Sequence, residues 1–478
     1  MLMGSKCISW SPLRFLHKPL KLMNVKTQNA GCASFTNLSQ ERRTFLRVGV
    51  LGLMGVGVAD VLRAEARSRL ENRKAAPARN VIQIFLPGGC AHQESWDPKP
   101  EAPLEYRGAL GVVKTVIPGV VFSQNLKECA KIADRLTVLR GITGKIPDHG
   151  QATYHVLTGY TPSPAIQHPQ MGAVISHELG GMNHLPAWIG VPSTAPQAST
   201  GYLPAKYGCF NLSADPGKAD FRVRDVSLPG SVSADDFLKR RSLREVVEDQ
   251  FRALETDGVA QATMSEFHQR AFGLMSSERA QAAFSMKGET EAVKALYGSQ
   301  KYRGGRAKQI FTVAERLILA RRLVEAGARF VTVQYEGDNG WDTHTRISDY
   351  FNDAMPAFDH ALAGLILDLE QRGLLDTTLV MVMTEFGRTP KINASAGRDH
   401  HAKCFSMVLA GGGSTRGNIF GASDAIAAEP ARDPVSIEDY LATAYALVGV
   451  DPAKRLMAPG ERPIDIIREA RLVKGVMA

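Results

Sequence analysis

Six cysteines in 478 residues are few, and no two of them form a CxxC pair or an even ladder. That scatter excludes a small disulfide framework and an all-cysteine zinc module. Cys7 and Cys32 lie near the amino terminus, while Cys90, Cys129, Cys209 and Cys404 read as buried thiols. Long apolar runs are missing too. The best candidate, Val48–Leu62, has 15 residues diluted with glycine, short of the ~20 that a spanning helix needs. No phosphate-cradling GxxxxGK(S/T) or GxGxxG loop occurs, so Gly411-Gly-Gly-Ser-Thr415 reads as a turn. No GxSxG surrounds a serine, which leaves an α/β-hydrolase nucleophile elbow without support. Internal repeats and low-complexity tracts are absent as well.

The net charge of +9 misleads. Residues 1–66 carry nine Lys/Arg against three Asp/Glu, so only three of those positive charges belong to the remainder. A nearly balanced body with no basic stripe gives nucleic acid nothing to bind. The basic excess belongs to an export segment. Glu41-Arg42-Arg43-Thr44-Phe45-Leu46-Arg47 precedes the apolar run, and Ala64-Glu65-Ala66 follows it with small residues for signal peptidase. Adjacent arginines, Phe-Leu and a glycine-rich run make a twin-arginine signal. The expectation is a periplasmic or extracellular protein that uses the twin-arginine machinery and meets the membrane only through this segment. The divisions read as leader 1–66, linker 67–79 and one domain over 80–478.

Apolar periodicity predicts the order of elements. Asn80–Gly89 is a buried strand stopping at Pro-Gly-Gly, and Leu136–Arg140 is a second strand after a helical pattern at Leu126–Asp134. A helix is expected near Gly150–Leu157, and 160–235 reads as an elaborate loop or lid. Leu, Val, Phe and Met recur at helical spacing over 243–296, which predicts a helical insertion. Helix 310–326, strand 330–335, helix 348–372 and the strands 378–383 and 405–410 complete the pattern. Helix and apolar strand in alternation predict an α/β fold: a mainly parallel sheet flanked by helices.

Three groups follow strand ends, where a parallel sheet places its chemistry. They are Gly88-Gly-Cys-Ala-His92-Gln-Glu94, Gly340-Trp-Asp342-Thr-His344, and Thr384-Glu385-Phe386-Gly-Arg388 with Gly397-Arg398-Asp399-His400-His401 close behind. Mixed Asp, Glu and His ligands suit zinc, manganese or iron, whereas an all-oxygen subset would suit calcium or magnesium. Neighbouring carboxylates repel unless a cation neutralises them. The alternative is that Asp342, Asp399 and Glu385 cap helices and pair with Arg388 and Arg398.

GGCAHQESWDPKPEAPLEYRG, LTGY, NGWDTH, TTLVMVMTEFGRTP and GRDHH resemble the landmarks of the family called domain of unknown function 1501, in order from about residue 80 onward. That family resembles in turn the alkaline phosphatase and sulfatase superfamily. The resemblance implies a divalent metal (zinc, calcium or manganese) on Asp342, His344, Asp399 and His400 or His401. It implies that Glu94 and Glu385 make a second subsite or a base. It implies that Arg388, Arg398 or Lys403 holds an anionic ester. Counting back from Gly159 puts the superfamily's nucleophile position at His149, with Thr153 the nearest hydroxyl. Phe386 stands where that superfamily has a histidine. The function so implied is an exported metal-dependent hydrolase of sulfate or phosphate esters on small molecules or glycans. A non-catalytic binding protein on the same scaffold is the alternative.

Overall fold

The computed structural model describes residues 77–478 apart from 198, 300, 303–311, 336–339 and most of 224–272. The leader, the start of the linker and much of the 243–296 insertion lie outside the described residues. Everything described belongs to one compact unit, Ala75–Ala478.

The elements that place the site run in chain order. They are β1 (Asn80–Phe85), α1 (Lys127–Lys131), β2 (Leu136–Thr143), α2 (His149–Thr158), α3 (Met171–Leu179), β3 (Trp188–Val191) and β4 (Phe210–Asn211). Next come α4 (Val313–Ala326), β5 (Phe330–Gln334), α5 (Ile347–Gln371), β6 (Thr378–Met383), β7 (Gly387–Arg388) and β8 (His400–His401). The chain closes with β9 (Phe405–Ala410), β10 (Asn418–Phe420), β11 (Val435–Ser436) and α6 (Ile437–Leu447).

Among the described residues, nine strands form the main sheet in the order β10-β2-β9-β6-β1-β5-β3-β4, with β11 beside β2. β9 runs against both its neighbours, and every other pairing in this sheet is parallel. The mainly parallel α/β sheet expected from the sequence is therefore present. Ile82 and Ile84 of β1 point into the core under α1, α4 and α5. Val81 and Phe85 alternate to the opposite face, under α2, α3 and α6. A strand sandwiched this way must be apolar throughout, which is why NVIQIF reads as an unbroken run.

α5 carries the stripe predicted for it. Phe351, Met355, Phe358, Leu362, Leu365 and Leu369 are all buried at one-turn spacing. Each such side chain contributes about 1.5–3 kcal/mol relative to exposure, so the stripe fixes α5 against the sheet. Asp359, on the same helix, caps α1 by accepting the backbone N–H groups of Glu128 and Cys129 at 2.7 and 2.8 Å.

One expectation fails. Residues 160–235 are not simply a lid, because they supply α3 and the sheet strand β3, paired with β5 from Trp188 to Val191. The signal was hidden because α3 is buried over Met171–Ser176 and so shows no polar face. Its Gly172 lets the Trp188 ring approach, where a Cβ would stand 2.6 Å from that ring. The described part of the insertion is helical at 273–276 and in the short helices Glu278–Ala283 and Glu291–Leu296. Cys90, Cys129, Cys209 and Cys404 are free thiols. Among the described residues, no helix is long and apolar enough to cross a membrane.

Candidate metal centre

Register decides where the side chains meet. Phe85 of β1 lies level with Gln334 of β5 and with Met383 of β6. Three chain segments therefore leave the sheet at one edge, and the loop from β2 into α2 joins them there. α2 starts where it does because Asp148 caps it, its carboxylate accepting the Gln151 N–H at 3.0 Å. That cap sets His149 in the first turn. Trp341 is fully buried, and its backbone N–H donates to Pro87 O at 2.7 Å, which anchors Asp342 just above β1. His344 is held by its own carbonyl, which accepts from Asn393 Nδ2 at 3.0 Å. Gly397 passes so close that a Cβ would lie 2.1 Å from that carbonyl.

His149, Asp342 and His400 converge, with one ligand atom from each inside a 4.8 Å span. Asp342 Oδ2 is 3.4 Å from His149 Nε2, and Oδ1 is 3.2 Å from His400 Nε2. His344 Nε2 joins them, 3.0 Å from Asp342 Oδ1 and 3.1 Å from His400 Nε2. The far nitrogens are all occupied. His149 Nδ1 faces Glu385 Oε1 at 2.8 Å, His344 Nδ1 faces Asp399 Oδ1 at 2.6 Å, and His400 Nδ1 faces Pro147 O at 2.9 Å. Carboxylates and carbonyls only accept, so in a neutral ring whose Nδ1 donates to them the Nε2 is left bare towards Asp342.

Bare nitrogens 3.1 Å apart repel, and only a proton or a cation relieves them. His149 Nε2 is buried and has no hydrogen-bond partner. Tetrahedral zinc with Zn–N near 2.0–2.1 Å separates its ligand atoms by roughly 3.3 Å, and the spacings here match that edge. A histidine whose other nitrogen is tied to a carboxylate or carbonyl is the usual form of a metal ligand. The donor set thus fits a divalent cation.

Electrostatics follow from the same contacts. The hydrogen bond to Glu385 raises the His149 pKa despite partial burial, helped by the charges of Glu385 and Asp342. Burial alone would raise the Asp342 carboxyl. The Arg388 guanidinium, with His149 and His400, outweighs it and holds Asp342 below its ordinary range. The hydrogen bond from His344 likewise lowers Asp399.

Sequence comparison gives the family outright. The family described as protein of unknown function (DUF1501) matches residues 78–477. The chain belongs to it. No curated protein matches the chain. Among solved structures, a sulfatase from Pseudoalteromonas sp. is similar at 12% identity over 81% of this chain and 71% of that one, TM-score 0.36. A phosphonate monoester hydrolase from Silicibacter pomeroyi matches at 12% identity over 83% and 76%, TM-score 0.31. Alkaline phosphatase from the Antarctic bacterium TAB5 matches at 12% over 70% and 92%, TM-score 0.30. With TM-scores this low, none of these likenesses bears on the chemistry of the DUF1501 chain.

The remaining site expectations for this DUF1501 protein divide by burial. Asp342, His344 and His400 meet as expected. His401 does not, because successive strand residues face opposite ways and its Nε2 contacts Ala428 O at 2.7 Å. Asp399 stands behind His344 rather than among the converging atoms. Glu94 is far from being a ligand: it is buried against Arg398, whose Nε lies 3.0 Å from both carboxylate oxygens. Burial raises the Glu94 pKa even with Arg398 opposing it.

Arg388 and Arg398, expected to hold a substrate anion, are fully buried. Arg388 donates to the carbonyls of Gly88, Gly89 and Arg398 and to Asp342. Arg398 donates to Glu94 and to Tyr106, Thr389 and Pro390 carbonyls. Lys403 is exposed and paired with Glu429 at 2.9 Å. Thr153 is buried one turn beyond His149, poorly placed for a nucleophile. Glu385 contacts His149 rather than a substrate position. Sequence reasoning gave Phe386 no place at the site except as a missing ligand. Its ring forms the apolar wall, with centroids 4.9 Å from His149 and 4.7 Å from His400. Gly89, at φ +72°, leaves room for that ring, since a Cβ there would sit 2.6 Å from it.

Proposed function

We propose that this protein is an exported, metal-dependent hydrolase of sulfate or phosphate esters, acting on small molecules or glycans. The observation that carries the reading is the convergence of one ligand atom each from His149, Asp342 and His400 within 4.8 Å at a parallel-strand edge, with His344 Nε2 beside them. His149, Asp342 and His400 would hold one cation, as in catalytic zinc sites that keep a fourth position open. Nitrogen-rich donors favour zinc over calcium. When bound, such a cation lowers the pKa of water towards ~7 and polarises an ester oxygen. The chain's own share is to orient His149 through Glu385 and His400 through Pro147, to hold His344 beside them through Asp399, and to shield one side with Phe386. Export by the twin-arginine route rests on Arg42-Arg43 and the run behind them.

A second reading has one observation in its favour. Both buried guanidiniums are spent within the fold, which leaves neither for an ester's non-bridging oxygens. A non-catalytic binding protein on the same scaffold would need none. Elemental analysis of protein purified after export, followed by a panel of sulfate and phosphate esters, separates the two. The hydrolase reading expects about one tightly held zinc or manganese per chain and turnover abolished by Asp342→Ala. Bound metal without turnover on any ester favours the binding protein. No metal and no turnover removes the hydrolase reading.

A further inference from the structure

Glu385 is the most enclosed carboxylate at the centre, and its surroundings fix what it can do. Oε1 accepts the Gly88 N–H at 2.7 Å and the His149 Nδ1–H at 2.8 Å. A carboxylate oxygen offers two in-plane lone pairs, so Oε1 has none left for a cation. Oε2 is turned to the Thr384 hydroxyl at 3.2 Å, at the end of β6. That hydroxyl also takes the Cys90 N–H at 2.9 Å and lies 2.9 Å from Leu86 O. The side chain is 1% exposed. Neither oxygen belongs to the cluster of ligand atoms that His149, Asp342 and His400 form, and the carboxylate is closed to solvent.

We propose that Glu385 is neither a ligand nor a general base but the positioning residue of the centre. By accepting from Nδ1 it fixes the His149 tautomer and turns the bare Nε2 towards Asp342. The Gly88 N–H in turn fixes the carboxylate. β1 and β6 are hydrogen-bonded neighbours in register, so the imidazole is ultimately aimed by the sheet. On the opposite side Arg388 contacts Asp342 and three backbone carbonyls, so that flank is already occupied by a built-in cation. The centre therefore takes one divalent ion. This inference rests on the metal-centre reading above, not on turnover.

The test compares Glu385→Gln and Glu385→Leu with the ligand variant Asp342→Ala in the full chain. Two readouts are independent of activity: zinc affinity by competition with a chromophoric chelator, and the visible spectrum of the cobalt(II)-loaded protein. Outer partners of ligating histidines are worth about 10–100-fold in affinity. Glu385→Gln, still able to accept from Nδ1, should keep one equivalent and the wild-type cobalt band while binding about 10-fold more weakly. Glu385→Leu should approach the ~100-fold end, with a thermal melt of the metal-free variant confirming that it is folded. Asp342→Ala should lose the ion.

If Glu385→Gln loses the ion or changes the cobalt band as Asp342→Ala does, Glu385 is a ligand and the proposal is overturned. Wild-type affinity in Glu385→Leu overturns it in the other direction. A wild type that binds neither zinc nor cobalt removes the metal centre along with it. Binding as expected without ester turnover leaves the positioning role standing and sinks only the hydrolase.

Discussion

Two charged layers meet at the carboxyl edge of the sheet, and they are built on opposite rules. In the inner layer Glu94, Arg388 and Arg398 are shut away from water, and each guanidinium is spent on carboxylates and carbonyls. In the outer layer one carboxylate, Asp342, faces the bare nitrogens of His149, His344 and His400. The inner layer neutralises its own charges, while the outer one presents ligand atoms that a divalent cation would fit. In sequence the two are interleaved, with Arg398 only two residues from His400. Residue type cannot separate a structural ion pair from a ligand; burial and the direction of each side chain do.

The largest effect is expected at Arg398. Removing one partner of a buried ion pair strands the other charge, at a cost of about 3–5 kcal/mol. Arg398→Met should lower unfolding free energy by that amount in urea denaturation. Replacing Glu94 with Leu as well should restore most of it, since an apolar pair leaves no uncompensated charge. An Arg398→Met protein as stable as wild type would show that the inner layer is no structural unit.

Acid titration sharpens the contrast through two histidines. His92, in the inner layer, is pushed by burial from an ordinary 6.5 down to about 4. The unfolded chain takes up that proton first, so stability should fall as pH drops from about 6.5 to about 4. The loss, complete below that window, reaches about 3 kcal/mol. His92→Asn should flatten this part of the profile. His149 has the opposite sign, because its folded pKa is raised. Its contribution in metal-free protein is complete below its ordinary value and is lost as pH rises through the raised one. Thermal midpoints of metal-free wild type, His92→Asn and His149→Gln across pH 3–8 measure both arms. An acid arm unchanged in His92→Asn would count against the inner layer's burial.

Much of the fold was legible because sandwiched strands and amphipathic helices write their burial into the sequence. β6 and β9 fall where the apolar runs predict, and α5 follows its stripe of Phe, Met and Leu. α3 and β3 were not legible, because a helix buried on most sides has no polar face and a four-residue strand has no period. At the site, Asp342, His344 and His400 stood out by type and by position after strands. His149 stood out only as a motif position, and its Nε2 proves to face Asp342. The roles of the partners that aim the rings could not be read, since Glu385 was expected as a base or subsite and Asp399 as a ligand. Pro147 acts through its backbone carbonyl, and Glu385 contacts His149 across 236 positions of sequence.

Metal linkage tests the outer layer next. An ion that binds the folded chain alone stabilises it by about 2.7 kcal/mol at a hundredfold excess over its Kd. Zinc should raise the melting temperature of the wild type accordingly and leave His400→Ala unmoved. Arg398→Met, if folded, should still respond, since its lost partner is Glu94 and not a ligand. A wild type indifferent to zinc, manganese and cobalt would mean that a proton, not a metal, relieves the nitrogens.

The smallest effect is expected at Lys403, which belongs to neither layer. Its ammonium sits on Glu429 at 2.9 Å with both side chains more than half exposed. An exposed pair of this kind contributes about 0–1 kcal/mol, and solvent already screens the charge. Lys403→Ala should leave stability within about 0.5 kcal/mol, zinc affinity unchanged and any ester turnover within about twofold, a rate effect well under 1 kcal/mol. A tenfold or greater fall in kcat/KM, with the melt unaltered, would make Lys403 the anion anchor that the buried arginines cannot be. It would then move the boundary of the outer layer out to the strand edge beyond β8.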